Sequence, residues 1–303
     1  MFYLFLAMVC SATIAMIFKY TENTNSNRYL ITSANYFVAF SISLFMVFYK
    51  NLVTGLIKEQ PFLSELKLLV SGDPYTFTAY GSVWWGIIVG GISGFFFFFS
   101  FIYYQKSVKE NGVGISGTFA KLGILIPMIF SIVLWKEFPS TYQWIGIALS
   151  LVSILIVNLS SKSLEKFDFK PTILLLFIFG GMAEFSNKIY QQYALNQYKD
   201  MFLFAIFFVA FLISLFFTLQ DRSKINKRDI LTGMAVGIPN LFSSFFLIMA
   251  LDTLKATVVF PIYSAGSIVL INIGGLLIFK EKISNKNKVA IGLIIIGLIL
   301  INI

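Results

Sequence analysis

Apolar runs recur from one end of this 303-residue chain to the other, each near the ~20 residues that a bilayer-spanning helix needs. A run of that kind satisfies its backbone in lipid only as a helix or a closed barrel. The length and continuity of the runs select the helix. The pattern predicts spans at Phe2–Tyr20, Tyr29–Tyr49, Val83–Tyr104, Val113–Trp135, Tyr142–Leu159, Thr172–Tyr193, Met201–Leu219, Ile230–Leu251, Ala256–Phe279 and Val289–Ile303. The expected fold is therefore an all-α membrane protein with ten transmembrane helices. Charged residues make up 12% of the chain, about half the roughly 25% of a soluble domain. No soluble domain fits between the runs.

The first run, Phe2 to Phe18, lacks a basic leader and a small-residue cleavage site, so it reads as a retained helix. Cys10 is the one cysteine and cannot form an internal disulfide. The chain has no histidine, which removes the usual general base and the commonest metal ligand. No nucleophile–base pair or metal cluster replaces them, so neither enzyme chemistry, nor a metal, nor a cofactor is expected. The net charge of +9 is carried largely by short loops beside apolar spans. That placement points to membrane orientation and away from nucleic acid.

One connection is long, Lys50 to Gly81. Inside the 51–81 insertion, apolar residues at 62, 63, 66, 69 and 70 share one face of a helix that Pro61 can start. Such a helix suits the headgroup region.

The chain also repeats itself. Trp135-Lys-Glu137 ends the fourth span and Phe279-Lys-Glu281 ends the ninth, each before a polar turn and a final helix. Gly86, Gly90 and Gly94 mark span three as Gly233 and Gly237 mark span eight, and phenylalanine-rich sequence follows both. Two five-helix halves, 1–160 and 161–303, account for these matches. Because five is odd, the second half enters the membrane from the opposite side, giving an inverted-topology repeat with a substrate site near the midplane. Loops after the odd-numbered spans hold most of the lysine and arginine, including Lys162, Lys166, Lys170, Arg222, Lys224, Lys227 and Arg228. By the positive-inside rule those loops are cytoplasmic, with both termini outside.

With its order of spans and duplicated Lys-Glu stops, the chain resembles the drug/metabolite transporter superfamily, in its EamA-like branch. Phe246-Leu-Ile-Met-Ala-Leu251, Val259-Phe-Pro-Ile-Tyr263 and the Pro127 that precedes Trp135-Lys-Glu137 also match. The likeness covers nearly the whole chain except the 51–81 insertion. It implies a secondary transporter, commonly an exporter of amino acids or other small metabolites, with a central cavity between halves. Small four-helix relatives place a proton-coupling glutamate in their first helix, where this chain has Ala15 and no acid.

Four ionisable residues fall within the expected spans: Lys19, Lys121, Glu184 and Lys188. Charges at such depth mark binding sites or proton relays by default. Glu184 and Lys188 are four apart and share a helix face. They read either as an internal ion pair locking helices together or as the wall of a polar cavity. Lys121 stands about 12 Å along its helix from Val113, at ~1.5 Å per residue, which is deep for a side chain to snorkel. A water-lined cavity and a structural pair with Glu184 are its two readings, whereas Lys19 lies near a helix end, within reach of the interface.

Asn35, Tyr36, Asn187, Asn240 and Tyr263 are candidate hydrogen-bonding partners of a substrate, and Glu184 is the candidate proton-coupling residue. Intramembrane amides also join helices, for about 0.6 kcal/mol each. Three lysines against one glutamate favour a substrate with a negative group. The expected function is secondary transport of a small metabolite, amino acid or organic anion across the cytoplasmic membrane, with export and proton coupling through Glu184. A flippase for an anionic lipid-linked carrier uses the same lysines and is the alternative. Membrane lipid and the small-molecule substrate are the expected partners, for a monomer or homodimer.

Overall fold

The computed structural model describes residues 1–21, 26–54, 56–57, 60–71, 75–158, 170–221, 225–280 and 284–301. Among the described residues there is no strand. The helices are α1 Phe2–Thr21, α2 Arg28–Tyr49, α3 Phe62–Val70, α4 Ala79–Leu122, α5 Leu125–Trp135 and α6 Thr141–Asn158. Then come α7 Pro171–Tyr193, α8 Lys199–Gln220, α9 Lys227–Leu251, α10 Ala256–Phe279 and α11 Asn285–Ile301.

Short polar residues start several of these helices. Asn27 Oδ1 accepts from Leu30 N at 3.1 Å and Asn226 Oδ1 from Arg228 N at 3.0 Å. Ser140 and Gln143 bond each other's backbone N–H at 3.2 and 3.0 Å, a capping box that opens α6. Pro171 begins α7, where its missing donor costs nothing.

Among the described residues, eight helical stretches are long and apolar enough to cross a membrane, and Thr141–Val157 is a shorter apolar one. The chain is thus an all-helical, multi-pass membrane protein. The expected fifth and tenth spans correspond to α6 and to the 17-residue α11.

Two features of α4 and α5 go beyond the simple span pattern. At 44 residues, a straight α4 would be about 66 Å long, twice the ~30 Å hydrocarbon core. It is not straight. Ser107 Oγ and Ser116 Oγ are 2.7 Å apart, whereas nine residues of straight helix would separate them by about 13.5 Å. The helical path therefore folds back between these serines, and its two arms are the third span and the start of the fourth. The fourth span is itself interrupted. Pro127 lacks the N–H that a continuous helix would donate to Gly123 O, and Ile126 N takes that carbonyl at 3.0 Å. The helix breaks at Gly123–Ile124, directly after Lys121.

The duplicated Lys-Glu motifs are helix stops. Lys136 (φ 55°) and Lys280 (φ 54°) both adopt the left-handed conformation just past α5 and α10, the position usually given to glycine. Glu137 Oε2 then accepts from Ala256 N at 2.6 Å and caps the start of α10. Glu281 lies outside the described residues.

Contacts divide the chain into two compact units. The first holds Met1–Met16, Phe99–Phe185 and Thr253–Ile303. In it α6 meets α11 at Gly146 and Gly297, where a side chain on either residue would strike the other's carbonyl. Ile154, Ala265, Ile268 and Ile294 form a core between α6, α10 and α11. Gly181 of α7 packs directly on the Gly123 carbonyl at the break.

The second unit holds Ile17–Phe98 and Ser186–Asp252. Here Gly90 and Gly94 of α4 lie on the Phe202 and Ile206 carbonyls of α8, while Gly233 and Gly237 of α9 lie on the Ile31 and Asn35 carbonyls of α2. Glycine permits that approach because no Cβ intervenes. Ser33 Oγ joins α2 to α8 through Ser214 Oγ at 3.2 Å and Thr218 Oγ1 at 2.8 Å.

Candidate functional site

In the first unit, Lys121, Glu184 and Tyr263 come together from α4, α7 and α10. The half-buried Lys121 ends the arm of α4 that the Gly123–Ile124 break cuts short. Its Nζ stands 5.8 Å from the centroid of the Tyr263 ring, inside the ~6 Å over which a ring face attracts a cation. The Glu184 carboxylate acts on the same ammonium. Gly181 seats α7 against the break one turn before Glu184, so tight backbone packing brings the acid to the lysine. Phe185, the next residue, stacks on Phe130 of α5 at 4.7 Å. On the far side, Ser264 Oγ donates to the Lys121 carbonyl at 3.4 Å. Ser264 is fully buried, and its position beside Tyr263 was its only mark in the sequence.

Such an arrangement has a definite chemistry. It sets an ammonium beside an aromatic ring, with a carboxylate on a neighbouring helix, at an interrupted helix inside the membrane span. Interrupted helices are where transporters place substrate and coupling ions.

The second unit holds the remaining candidates. Lys188 is 3% exposed and its Nζ donates to Gln191 Oε1 at 3.1 Å. Asn187, before it on α7, is fully buried. Asn240 Nδ2 donates to Asn35 Oδ1 at 3.1 Å, beside the Gly237 contact of α9 with α2. Tyr36 donates its hydroxyl to Phe97 O at 3.1 Å. Lys19 is half-buried near the end of α1. The structure thus joins Asn35 to Asn240 and Lys188 to Gln191.

A second charged group escaped the sequence reading because it straddles a span boundary. The expected seventh span starts at Met201, but α8 starts two residues earlier and buries both. Lys199 is 6% exposed and Asp200 is 0% exposed. Lys50 Nζ donates to Asp200 Oδ2 at 2.6 Å, and Lys199 Nζ lies 4.5 Å from the centroid of Phe245. Asp200 sits in the first turn of α8, where an acid also favours the helix N-terminus. Among the described residues, no group of three or more histidine, cysteine, aspartate or glutamate side chains could hold a metal ion.

Comparison with known proteins agrees with this architecture. The model of the EamA-like transporter family matches residues 1–159 and 167–303. An uncharacterized protein of Haemophilus influenzae is 24% identical over 194 residues, which span 63% of this chain and 67% of that protein. An uncharacterized membrane protein of Bacillus subtilis, YvaE, is 38% identical over 60 residues, 20% of this chain and half of its own. A crystal structure superposes with a TM-score of 0.69 at 15% identity, over 100% of this chain and 97% of its own, a likeness of fold alone.

Proposed function

Because this chain belongs to the EamA-like transporter family and hence to the drug/metabolite transporter superfamily, we propose that it is a secondary active exporter of a small metabolite or amino acid carrying a negative group, driven by protons through Glu184. The observation that carries this reading is the Lys121–Glu184–Tyr263 group at the break in span four.

The halves 1–160 and 161–303 act as inverted repeats of ten spans in this reading. Each unit draws on both halves: spans four, five, nine and ten, most of span one and the first part of span six fall in the first unit, and spans two, seven and eight, most of span three and the last part of span six in the second. The glycine contacts are reciprocal in the same way, span three on span seven and span eight on span two. Both termini face outward from the cytoplasm, as the loop charges require.

Linkage fixes the sense of the coupling. A substrate anion displaces Glu184 from Lys121. If the substrate also offers an ammonium or other donor to Glu184, a proton on Glu184 removes that hold, so proton and substrate compete for one site. Competition is the condition for exchanging inward protons against outward substrate. A simple anion without a donor would instead bind together with the proton, which drives uptake. Export therefore selects a substrate with an acid end for Lys121 and a donor for Glu184.

The test is transport in proteoliposomes of an amino acid, a simple organic anion and a quaternary ammonium compound, with Lys121→Ala as the comparison. Losing a charge-assisted bond of about 1.5–3 kcal/mol predicts at least a roughly tenfold loss of transport for substrates with an acid group. Transport of the quaternary ammonium compound alone overturns the reading.

A further inference from the structure

The short helix α3 presents its faces in an unexpected order. Its nine residues begin directly after Pro61, and the residue it turns inward is an acid. Glu65 is 0% exposed. Its carboxylate accepts from Thr78 N and Thr78 Oγ1, both at 2.8 Å, and from Tyr75 Oη at 3.1 Å. Thr78 in turn accepts from Gly81 N at 3.2 Å and caps the start of α4. The carboxylate lies so close to Gly81 that no side chain fits there. Phe62 adds a second hold, stacked on the buried Phe77 at 5.6 Å, and Phe77 N donates to Tyr193 O at 2.8 Å. α3 is thus pinned to the starts of α4 and its neighbours by one aromatic ring and one carboxylate.

The outward face is apolar. Leu63 is 70% exposed and Val70 is 79% exposed, and the two lie seven residues apart on one face of the helix. Lys67 stands between Leu63 and Val70 on that same stripe and is also exposed. The chain leading into α3 continues the pattern: Val53 and Ile57 are exposed, as are Phe45, Phe48 and Tyr49 on the last turns of α2. α2 is one of the stretches able to cross the membrane, so the chain reaches α3 from a membrane-spanning helix whose last turns expose large apolar side chains.

We propose that α3 is a membrane-surface anchor that buries Leu63 and Val70 in the headgroup–acyl boundary, with Glu65 latching it to the N-terminus of α4. The bilayer is the partner that fits this chemistry. Water would leave these two large aliphatic side chains unburied, at about 1.5–3 kcal/mol for each one fully transferred. Lys67 reaches lipid phosphate from the middle of the stripe by extending its stem along it. A helix seated this way lies about 5–10 Å into the boundary. The proposal is independent of the substrate site and survives its failure.

The test uses the full chain with Cys10→Ala and a single label on Leu63→Cys or Val70→Cys. The protein is reconstituted in phosphatidylethanolamine–phosphatidylglycerol vesicles. Fluorescent labels at both positions are expected to be quenched at least about twofold more by nitroxides placed near the lipid headgroup than by nitroxides at the chain ends, and little by aqueous iodide. Strong iodide quenching without lipid quenching overturns the proposal, since the face then meets water. Copy-to-copy disulfide formation through Leu63→Cys in the vesicles overturns it too, since a second chain then covers the face.

Discussion

The two units each bury a lysine–carboxylate system, and the contrast between them separates function from architecture. In the second unit Lys50 and Asp200 meet at 2.6 Å at the ends of α2 and α8. Asp200 occupies the first turn of an unbroken helix, and Lys50 reaches solvent. In the first unit Lys121 stands at an interrupted helix, its Nζ 5.8 Å from the Tyr263 ring centroid and within the electrostatic reach of Glu184. The first arrangement fixes helix ends. The second places a lysine beside an interruption in its own helix, and in the proposed function its carboxylate partner is the one that substrate replaces.

That difference predicts opposite outcomes for mutation. Asp200→Ala leaves Lys50 and the buried Lys199 without their carboxylate. It should destabilise the protein by about 2–3 kcal/mol, below the range for fully buried pairs because Lys50 reaches water. The result is read as a lower Tm in detergent, with substrate preference unchanged among the molecules that remain folded. A Tm equal to that of the parent would place Asp200 outside the architecture and weaken the contrast. The Asn35–Asn240 bond sharpens the same comparison at a smaller scale. Asn240→Ala should cost about 0.6 kcal/mol and leave transport within about twofold of the parent, because the Gly237 contact still holds α9 to α2. A selective loss of transport with normal Tm would move the amide pair from helix packing into the substrate site.

Much of this architecture was legible in the chain because its signals are local. Apolar run length marks the spans, and the paired Trp135-Lys-Glu137 and Phe279-Lys-Glu281 stops mark the duplication that the family match also spans. The stops work through a left-handed lysine, which no propensity argument assigns to that residue. The break at Gly123 was encoded by Pro127, whose missing donor falls on the Gly123 carbonyl, but the apolar run masks it. Lys199 and Asp200 were misplaced because the hydropathy edge at Met201 cannot report that α8 starts earlier and packs against α2. Periodicity found α3 and its apolar face but not which side docks, because the acceptor that decides it, Glu65, finds its donors ten and thirteen residues further on. Lys121 was singled out by depth alone. Its ring partner, Tyr263, lies more than a hundred residues away and only the fold brings them together.

The central claim is that Glu184 carries the proton that competes with substrate beside Lys121. The most direct measurement places Glu184→Gln in proteoliposomes and compares substrate movement driven by a proton gradient with substrate exchange at equal pH. Gradient-driven transport should vanish while exchange of substrate across the membrane persists. A variant that still concentrates substrate at the parent's rate under the gradient would make Glu184 a structural partner of Lys121 and contradict the account.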